Sequence, residues 1–257
     1  MSVWDLYNSR ISAHGTSKRD AALKRESRML NRKLPDSLSY HEVVIDGIER
    51  TVAVINSDNL EEKLMLSLPG EDFDCGGLVE WADNHWLITE KDANNEVYTK
   101  VKLLQCNFVL KWIDENSIIH EQWCVIEDGT KYLTGEYEDR NFVVTRGDSR
   151  IAMTIAKNEH TVKFGRHCRF LIDDPDSLEL NAYLLTKPLK VGKHYNKKGI
   201  YAFVLQEVVS TDDDNMELGI ADYYKHFPKL SEDNNVDNDE NNSSSDGETT
   251  NGKKVWL

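Results

Sequence analysis

From Tyr40 to Val208 apolar side chains recur at every second position, in short runs broken by Gly, Asp and Asn. A run of that kind can bury only one face, so it must pair with others into sheets. His41-Glu42-Val43-Val44-Ile45, the Asp46-Gly47 turn and Arg50-Thr51-Val52-Ala53-Val54-Ile55 predict a tight hairpin. Gly77-Leu78-Val79-Glu80-Trp81, the Ala82-Asp83-Asn84 turn and His85-Trp86-Leu87-Ile88-Thr89 predict a second. Glu96 to Leu104, Cys106 to Ile113 and Ile118 to Ile126 supply three further strands rich in aromatic and β-branched residues. Strands this short and this regularly spaced build barrels or sandwiches.

The Asp128-Gly129 turn marks a break, and a second set of strands follows: Phe142 to Val144, Ile151 to Ile155, Cys168 to Ile172, Leu178 to Leu185 and Ile200 to Val208. The expected fold is therefore mainly β, with two small tandem barrel-like or sandwich-like modules over 37–128 and 129–209. The two halves share a layout. Gly77 and Gly165 each precede a strand, an Asp-rich turn follows (Asp83-Asn84; Asp173-Asp174-Pro175-Asp176), and a later long strand ends at Gln105 or Gln206.

Charge is divided unevenly along the chain. Residues 1–36 form a basic arm: up to residue 34, Arg10, Lys18, Arg19, Lys24, Arg25, Arg28, Arg32 and Lys33 face Asp5, Asp20 and Glu26, a balance of +5 in a chain of net −14. Thr16 or Ser17 can cap a helix that Pro35 stops, with Ala22, Leu23, Met29 and Leu30 as a thin apolar stripe that needs a partner. Residues 35–209 carry 19 basic and 30 acidic side chains, a balance of −11. Residues 210–257 hold twelve acids and four lysines. Within them, 210–230 contains the apolar stretch Glu217 to Phe227, expected to dock through Tyr223 and Tyr224, and 231–257 is an acidic tail too poor in apolar residues to order itself. The opening Met-Ser-Val-Trp-Asp-Leu-Tyr has no signal-peptide pattern and no stretch reaches the length of a membrane span, so a soluble, membrane-free protein of the host cytoplasm is expected.

No catalytic constellation stands out. Ser67 and Ser149 lie outside any nucleophile elbow, and phosphate-cradling glycine motifs are missing from the sequence. The eight histidines show neither His-x-His nor His-x-x-x-His spacing, and His160, His167, Cys168 and His194 are explained as solvent-facing polar residues, so no metal or cofactor is expected. Asp173 to Ser177 and Asp212 to Asp214 read as solvated turns. Cys75, Cys106, Cys124 and Cys168 read as small core residues in a reducing compartment. Trp81, Trp86, Phe108, Trp112 and Trp123 could form a stacking face for single-stranded nucleic acid, but the charges between them are mixed. Trp81, Trp86, Phe108 and Trp112 are therefore assigned to the core.

The stretches Gly76 to Trp81, His85 to Glu90, Val97-Tyr98 and Gln105 to Trp112 resemble the neck proteins of long-tailed bacteriophages of Gram-positive hosts. The likeness extends back through Asp46-Gly47 and forward through Thr161, Phe170 to Ile172 and Glu217 to Tyr224. It implies a virion structural protein without catalysis, a head-closure (stopper) ring that retains packaged DNA and offers the tail a docking surface. An adaptor or tail-terminator ring of the same connector is the alternative, and a small β-barrel nucleic-acid-binding module is the reading from another class. The implied partners are further copies in a sixfold or twelvefold ring, a portal or adaptor ring, a tail-terminator or tail-tube protein, and double-stranded DNA passing through the lumen. The basic arm residues named above, with Tyr223 and Tyr224, are the candidate assembly interface.

Overall fold

In the computed structural model the described residues are 2–12, 15, 17–92, 94–128, 150–173, 177, 180–190, 194–195 and 198–228. The sequence-level turns set the register. Asp46 and Gly47 (φ 50° and 78°) and Ala82 and Asp83 (φ 52° and 58°) adopt the left-handed conformations of two-residue hairpin turns. The first joins β1 (Tyr40–Ile45) to β2 (Ile48–Asn56), pairing Ile45 with Ile48; the second joins β4 (Leu78–Trp81) to β5 (Asn84–Lys91). With β3 (Glu62–Leu66) and β6 (Lys100–Gln105) they form a closed barrel in the order β1-β2-β3-β6-β5-β4, sealed by β4 pairing with β1. Val43, Ile45, Val52, Val54, Met65, Val79, Ile88, Val101 and Leu103 alternate inward, and Trp86, 4% exposed, fills the interior beside Phe73 and Cys75.

The second sheet contains β7 (Phe108–Ile113), β8 (Ile119–Asp128), β9 (Arg150–Ala156), β10 (Arg169–Ile172), β11 (Asn181–Leu189) and β13 (Lys198–Val208), with the short β12 (His194–Tyr195) paired to β13. Its order is β7-β8-β9-β13-β11-β10, the order of the first barrel strand for strand. Each half is two antiparallel three-stranded meanders joined through their last strands, β3 to β6 and β9 to β13. The shared layout noted around Gly77 and Gly165 maps onto equivalent strands, β4 and β10. The halves differ at closure: β7 and β10 approach one another without pairing. Leu110, Trp112, Met153, Ile155, Phe164, Phe170, Leu185 and Phe203 fill the second interior.

Periodicity identifies β7 and β8 as strands, but it cannot choose their neighbours. The break between modules falls at Cys106-Asn107, between β6 and β7, and not at residue 128, because β8 pairs with β9 and never with a first-barrel strand. Strand β6 begins at Lys100 and not at Glu96. Gly129 and Phe142 to Val144 lie outside the described residues.

The barrels meet along β5, whose burial is continuous from Trp86 to Thr89. Trp86 and Ile88 point into the first barrel, while Leu87 points out and packs with Cys106, Val125, Ala156, Trp123 and Ile200 between the sheets. His85 stacks on Trp123 with ring centroids 4.1 Å apart, and Lys198 Nζ donates to Asp46 Oδ2 at 2.7 Å. The closest approach is backbone on backbone: a Cβ placed on Gly76 (φ 83°) would lie 1.9 Å from the Gly199 carbonyl oxygen. Only glycine fits there.

N-terminal to the barrels lie α1 (Val3–Ser12) and α2 (Lys18–Lys33). The Ser17 side chain caps α2 by accepting from the Asp20 N–H at 3.1 Å. No residue of α2 is buried, and Asp20, Ala21, Leu23, Ser27 and Leu30 form only a half-covered stripe. Among the described residues no helix is long and apolar enough to cross a membrane.

Two stability experiments follow from this packing. Trp86→Ala should cost about 3–5 kcal/mol in denaturant unfolding, with Trp81→Ala costing less because its ring is only partly buried against the same core. Gly76→Ala should cost at least about 1–3 kcal/mol, more than Gly70→Ala, where φ is also positive (93°) but a Cβ meets nothing within 4 Å. Equal losses at the two glycines would show that backbone conformation, and not the joint, sets the cost.

Candidate functional site

Three surfaces carry the chemistry of the described chain. The first is the arm. Lys18, Arg19, Lys24, Arg25, Arg28, Arg32 and Lys33 are all exposed on α2. Arg19 pairs with Glu96 and Lys24 with Asp20, while Arg25, Arg28, Arg32 and Lys33 have no ion pair within the described chain. On α1, which the sequence reading missed, Val3, Trp4, Leu6 and Tyr7 are exposed, Trp4 by 70%. The side chain of Arg10 lies outside the described residues.

The second surface is a groove on the first barrel, at the β1–β2 and β4–β5 hairpins. It is lined by Glu42, Glu49, Glu71, Glu80 and Asp83, with Arg50 as its one cation. Arg50 lies over the Phe73 ring at 5.5 Å, so part of its charge faces an aromatic ring and not the acids. The groove is thus acidic where the arm is basic.

The third surface is the C-terminal segment on the second barrel. Arg169, on β10, donates to Asp214 Oδ2 at 2.7 Å and Oδ1 at 2.9 Å, to Asp222 Oδ1 at 2.8 Å and to the Thr211 hydroxyl at 2.9 Å. The Asp214 side chain is fully buried and accepts backbone N–H bonds from Thr211 and Asp222. Burial alone would raise its pKa, but the Asp222 and Thr211 N–H groups and the Arg169 guanidinium outweigh it and hold the carboxyl below its ordinary range. Beside this network Ile220 and Ala221 are buried, the latter packed with Leu171 and Ala182. At the far end, Ser117 in the β7–β8 turn contacts His226 at 3.2 Å. The segment therefore straddles the unpaired seam between β7 and β10.

Several sequence assignments change here. Asp214 is a buried ion-pair partner and not a solvated turn residue; aspartate triplets read as turns because nothing in the sequence marks Arg169, 45 positions away, as their counter-ion. Tyr223 and Tyr224 are half-buried on α3 (Tyr223–His226), packed edge to face at 5.3 Å, so much of their ring area already has a contact. Trp112 is 7% exposed inside the second barrel, Phe108 packs on the same core, and Trp123 lies under His85. The aromatic side chains are thus used in the cores and the joint. Ser67 is buried, its hydroxyl donating to the Glu71 carbonyl and accepting from the Thr99 N–H, so it braces a turn. Cys75, Cys106 and Cys124 are buried thiols, with burial pushing Cys106 up to about 12, and Cys168 packs partly against the second core. Ser149, Asp174 to Asp176, the side chain of His194 and residues 231–257 lie outside the described residues.

Of the histidines singled out, His160, His167 and Cys168 line one cavity. The tightest grouping of possible metal ligands among the described residues is a different one: Asp114, His120 and His160. The β7–β8 turn and the loop after β9 bring it together, and sequence spacing cannot reveal such a meeting.

Residues 7–105 match the family described as "YomX N-terminal domain". The match ends at the last residue of β6, so it takes in most of the arm and the whole first barrel. Over 80 residues the chain is 31% identical to the "SPbeta prophage-derived uncharacterized protein YomX" of Bacillus subtilis (strain 168), a stretch covering 30% of this chain and 37% of that protein. The similarity is to a phage-derived protein, of which this chain spans little more than a third. A solved structure described as "MrkH, A novel c-di-GMP dependence transcription regulatory factor" covers 77% of this chain and 86% of its own at 10% identity, with a TM-score of 0.23. That score is too low for a shared fold.

The Arg169 network predicts a pH dependence. The folded-state pKa of Asp214 lies below the unfolded value, so its contribution is complete above roughly pH 4 and is lost as pH falls through the folded value. Arg169→Ala, which leaves a buried carboxylate without its partner, should cost about 3–5 kcal/mol. Amide protection factors at Ile220 and Asp222, whose N–H groups bond Asn215 and Asp214, should fall in that variant at neutral pH and in the parent only in acid. Unchanged protection in the variant would show that apolar contacts alone hold the segment.

Proposed function

We propose that this chain is a structural, non-catalytic protein of the phage neck, forming a head-closure ring that retains packaged DNA and presents a docking surface to the tail. The observation that carries the reading is the self-complementary charge: an exposed basic helix beside a barrel whose groove is acidic. An arm seated in the groove of the next copy makes a head-to-tail contact, and such contacts close into rings when the rotation per copy divides a full turn. The match of residues 7–105, most of the arm and the first barrel, to the YomX N-terminal domain, and the similarity over 80 residues to a prophage-derived protein, support a phage setting for this pair of surfaces. The acidic balance of the chain, net −14, suits a lumen through which DNA must slide without being held. Virion neck and, during assembly, host cytoplasm are the corresponding locations, with a portal or adaptor ring above and a tail-terminator or tail-tube protein below. An adaptor or terminator position in the same connector would use the same contact.

The exchange of arms can be tested by charge reversal. The intact chain should form a closed oligomer by native mass spectrometry, and deletion of residues 1–34 should leave folded monomer. Raising salt from about 50 to 500 mM should weaken association by screening the contact. Changing Arg25, Arg28 and Arg32 to Glu should abolish assembly, and adding Glu42→Lys, Glu49→Lys and Glu80→Lys should restore it. Ring formation by the truncated protein, or a parent that stays monomeric at every concentration, would overturn the proposal.

A further inference from the structure

We propose that Asp114, His120 and one ring nitrogen of His160 form a binding site for a divalent first-row transition ion, with Zn²⁺ the best match. Asp114 follows β7 in the β7–β8 turn, His120 lies six positions on in β8, and His160 precedes a short 3₁₀ turn at Thr161–Lys163. Asp114 Oδ2 and His120 Nε2 are 3.2 Å apart, and the three ligand atoms all lie within 4.8 Å of one another. Two ligand atoms held about 2.0–2.1 Å from one tetrahedral ion are separated by roughly 3.4 Å, so the first pair already has the spacing and His160 closes it with a small turn of its ring. The donors also match by type: two imidazoles and one carboxylate leave an open position for water.

The surroundings favour a cation over a plain ion pair. The Asp114 side chain is 7% exposed; its other oxygen accepts from the Asn116 and Ile118 N–H groups, which fixes the carboxylate with Oδ2 turned to the histidines. The His120 and His160 rings face each other at 4.0 Å, an arrangement that repels if both are protonated and is relieved if both ligate one ion. His160 Nδ1 is buried without a hydrogen-bond partner, while Glu159 Oε1 lies 3.4 Å from Nε2. A carboxylate on the second ring nitrogen is the usual support of a ligating histidine. Beside the trio is a cavity of about 300 Å³, lined also by His167, Cys168 and His226, with room for the ion's water. Bound there, the ion would staple the β7–β8 turn to the loop after β9. The site does not depend on the neck assignment.

The test uses the full chain stripped with chelator. Calorimetric titration with Zn²⁺ should show one ion per chain, and Co²⁺ should give the visible d–d band of a tetrahedral site. The isosteric Asp114→Asn, and His120→Ala and His160→Ala, should each weaken binding by at least about 100-fold, and Glu159→Gln by about tenfold. Zn²⁺ should raise the melting temperature of the parent and leave that of the ligand variants unmoved, a comparison internal to each protein and so independent of any fold damage. Cys168→Ser should bind as the parent does. Absence of stoichiometric binding in the parent, or binding that survives Asp114→Asn and His120→Ala together, would overturn the site.

Discussion

The architecture depends on the joint at β5, where one strand serves two cores. A strand half-buried in a barrel ordinarily alternates apolar and polar residues; β5 cannot, because its outer face lies under the second sheet, and so Trp86, Leu87 and Ile88 run together. The contact between Gly76 and Gly199 lets the two backbones come close enough for Leu87 to reach Val125 and Ala156. Any side chain at Gly76 would hold the barrels apart and open that cluster to water. The His85–Trp123 stack and the Lys198–Asp46 pair then fix the rotation of one barrel on the other. Through this joint the acidic groove, the cavity beside Asp114 and the C-terminal segment keep constant positions on one body.

Both hairpin turns of the first barrel were legible because their chemistry is local: Asp46-Gly47, and Ala82-Asp83 within the stretch Ala82-Asp83-Asn84, can be read as turns from adjacent residues alone. The helix start was legible for the same reason, at Thr16 or Ser17, and Ser17 is the residue that caps it. Strand β3 was not, since Glu62-Lys63-Leu64-Met65-Leu66 contains helix-forming residues and no β-branched one, and only pairing to β2 and β6 makes it a strand. Helix α1 was hidden by its weak apolar pattern. The module boundary was misplaced for a related reason, because a period of two is the same whichever sheet a strand joins.

The functional surfaces divide in the same way. The basic arm is a contiguous cluster and can be read directly, whereas the groove opposite it is assembled from Glu42, Glu49, Glu71 and Glu80 on separate elements and has no linear signature. Arg169 is one cation among many until the fold brings Asp214 and Asp222 to it. His120 and His160 are forty positions apart and meet only because β8 and β9 are neighbours, which places the end of one beside the loop leaving the other. Spacing rules for metal sites detect ligands carried on one turn or helix, and here three ligands come from two loops and a strand.

The two halves share a strand order yet solve the closing of a barrel differently, and this difference assigns the C-terminal segment its role. Strand β1 meets β4 through backbone hydrogen bonds, so the first barrel has no open edge. Strand β7 only approaches β10, so among the described residues no backbone ladder joins these two strands along their seam, and strand edges left without a ladder are open to unwanted pairing. Residues 211–226 cross that seam, anchored by Arg169 on the β10 side and reaching Ser117 on the β7–β8 side. The strap is held on the β10 side by side-chain ion pairs and meets the β7–β8 turn through the Ser117–His226 contact, where the first barrel uses a backbone ladder. Side-chain anchors respond to pH and to single substitutions far more than a ladder does, so the second barrel is the half whose closure conditions can change.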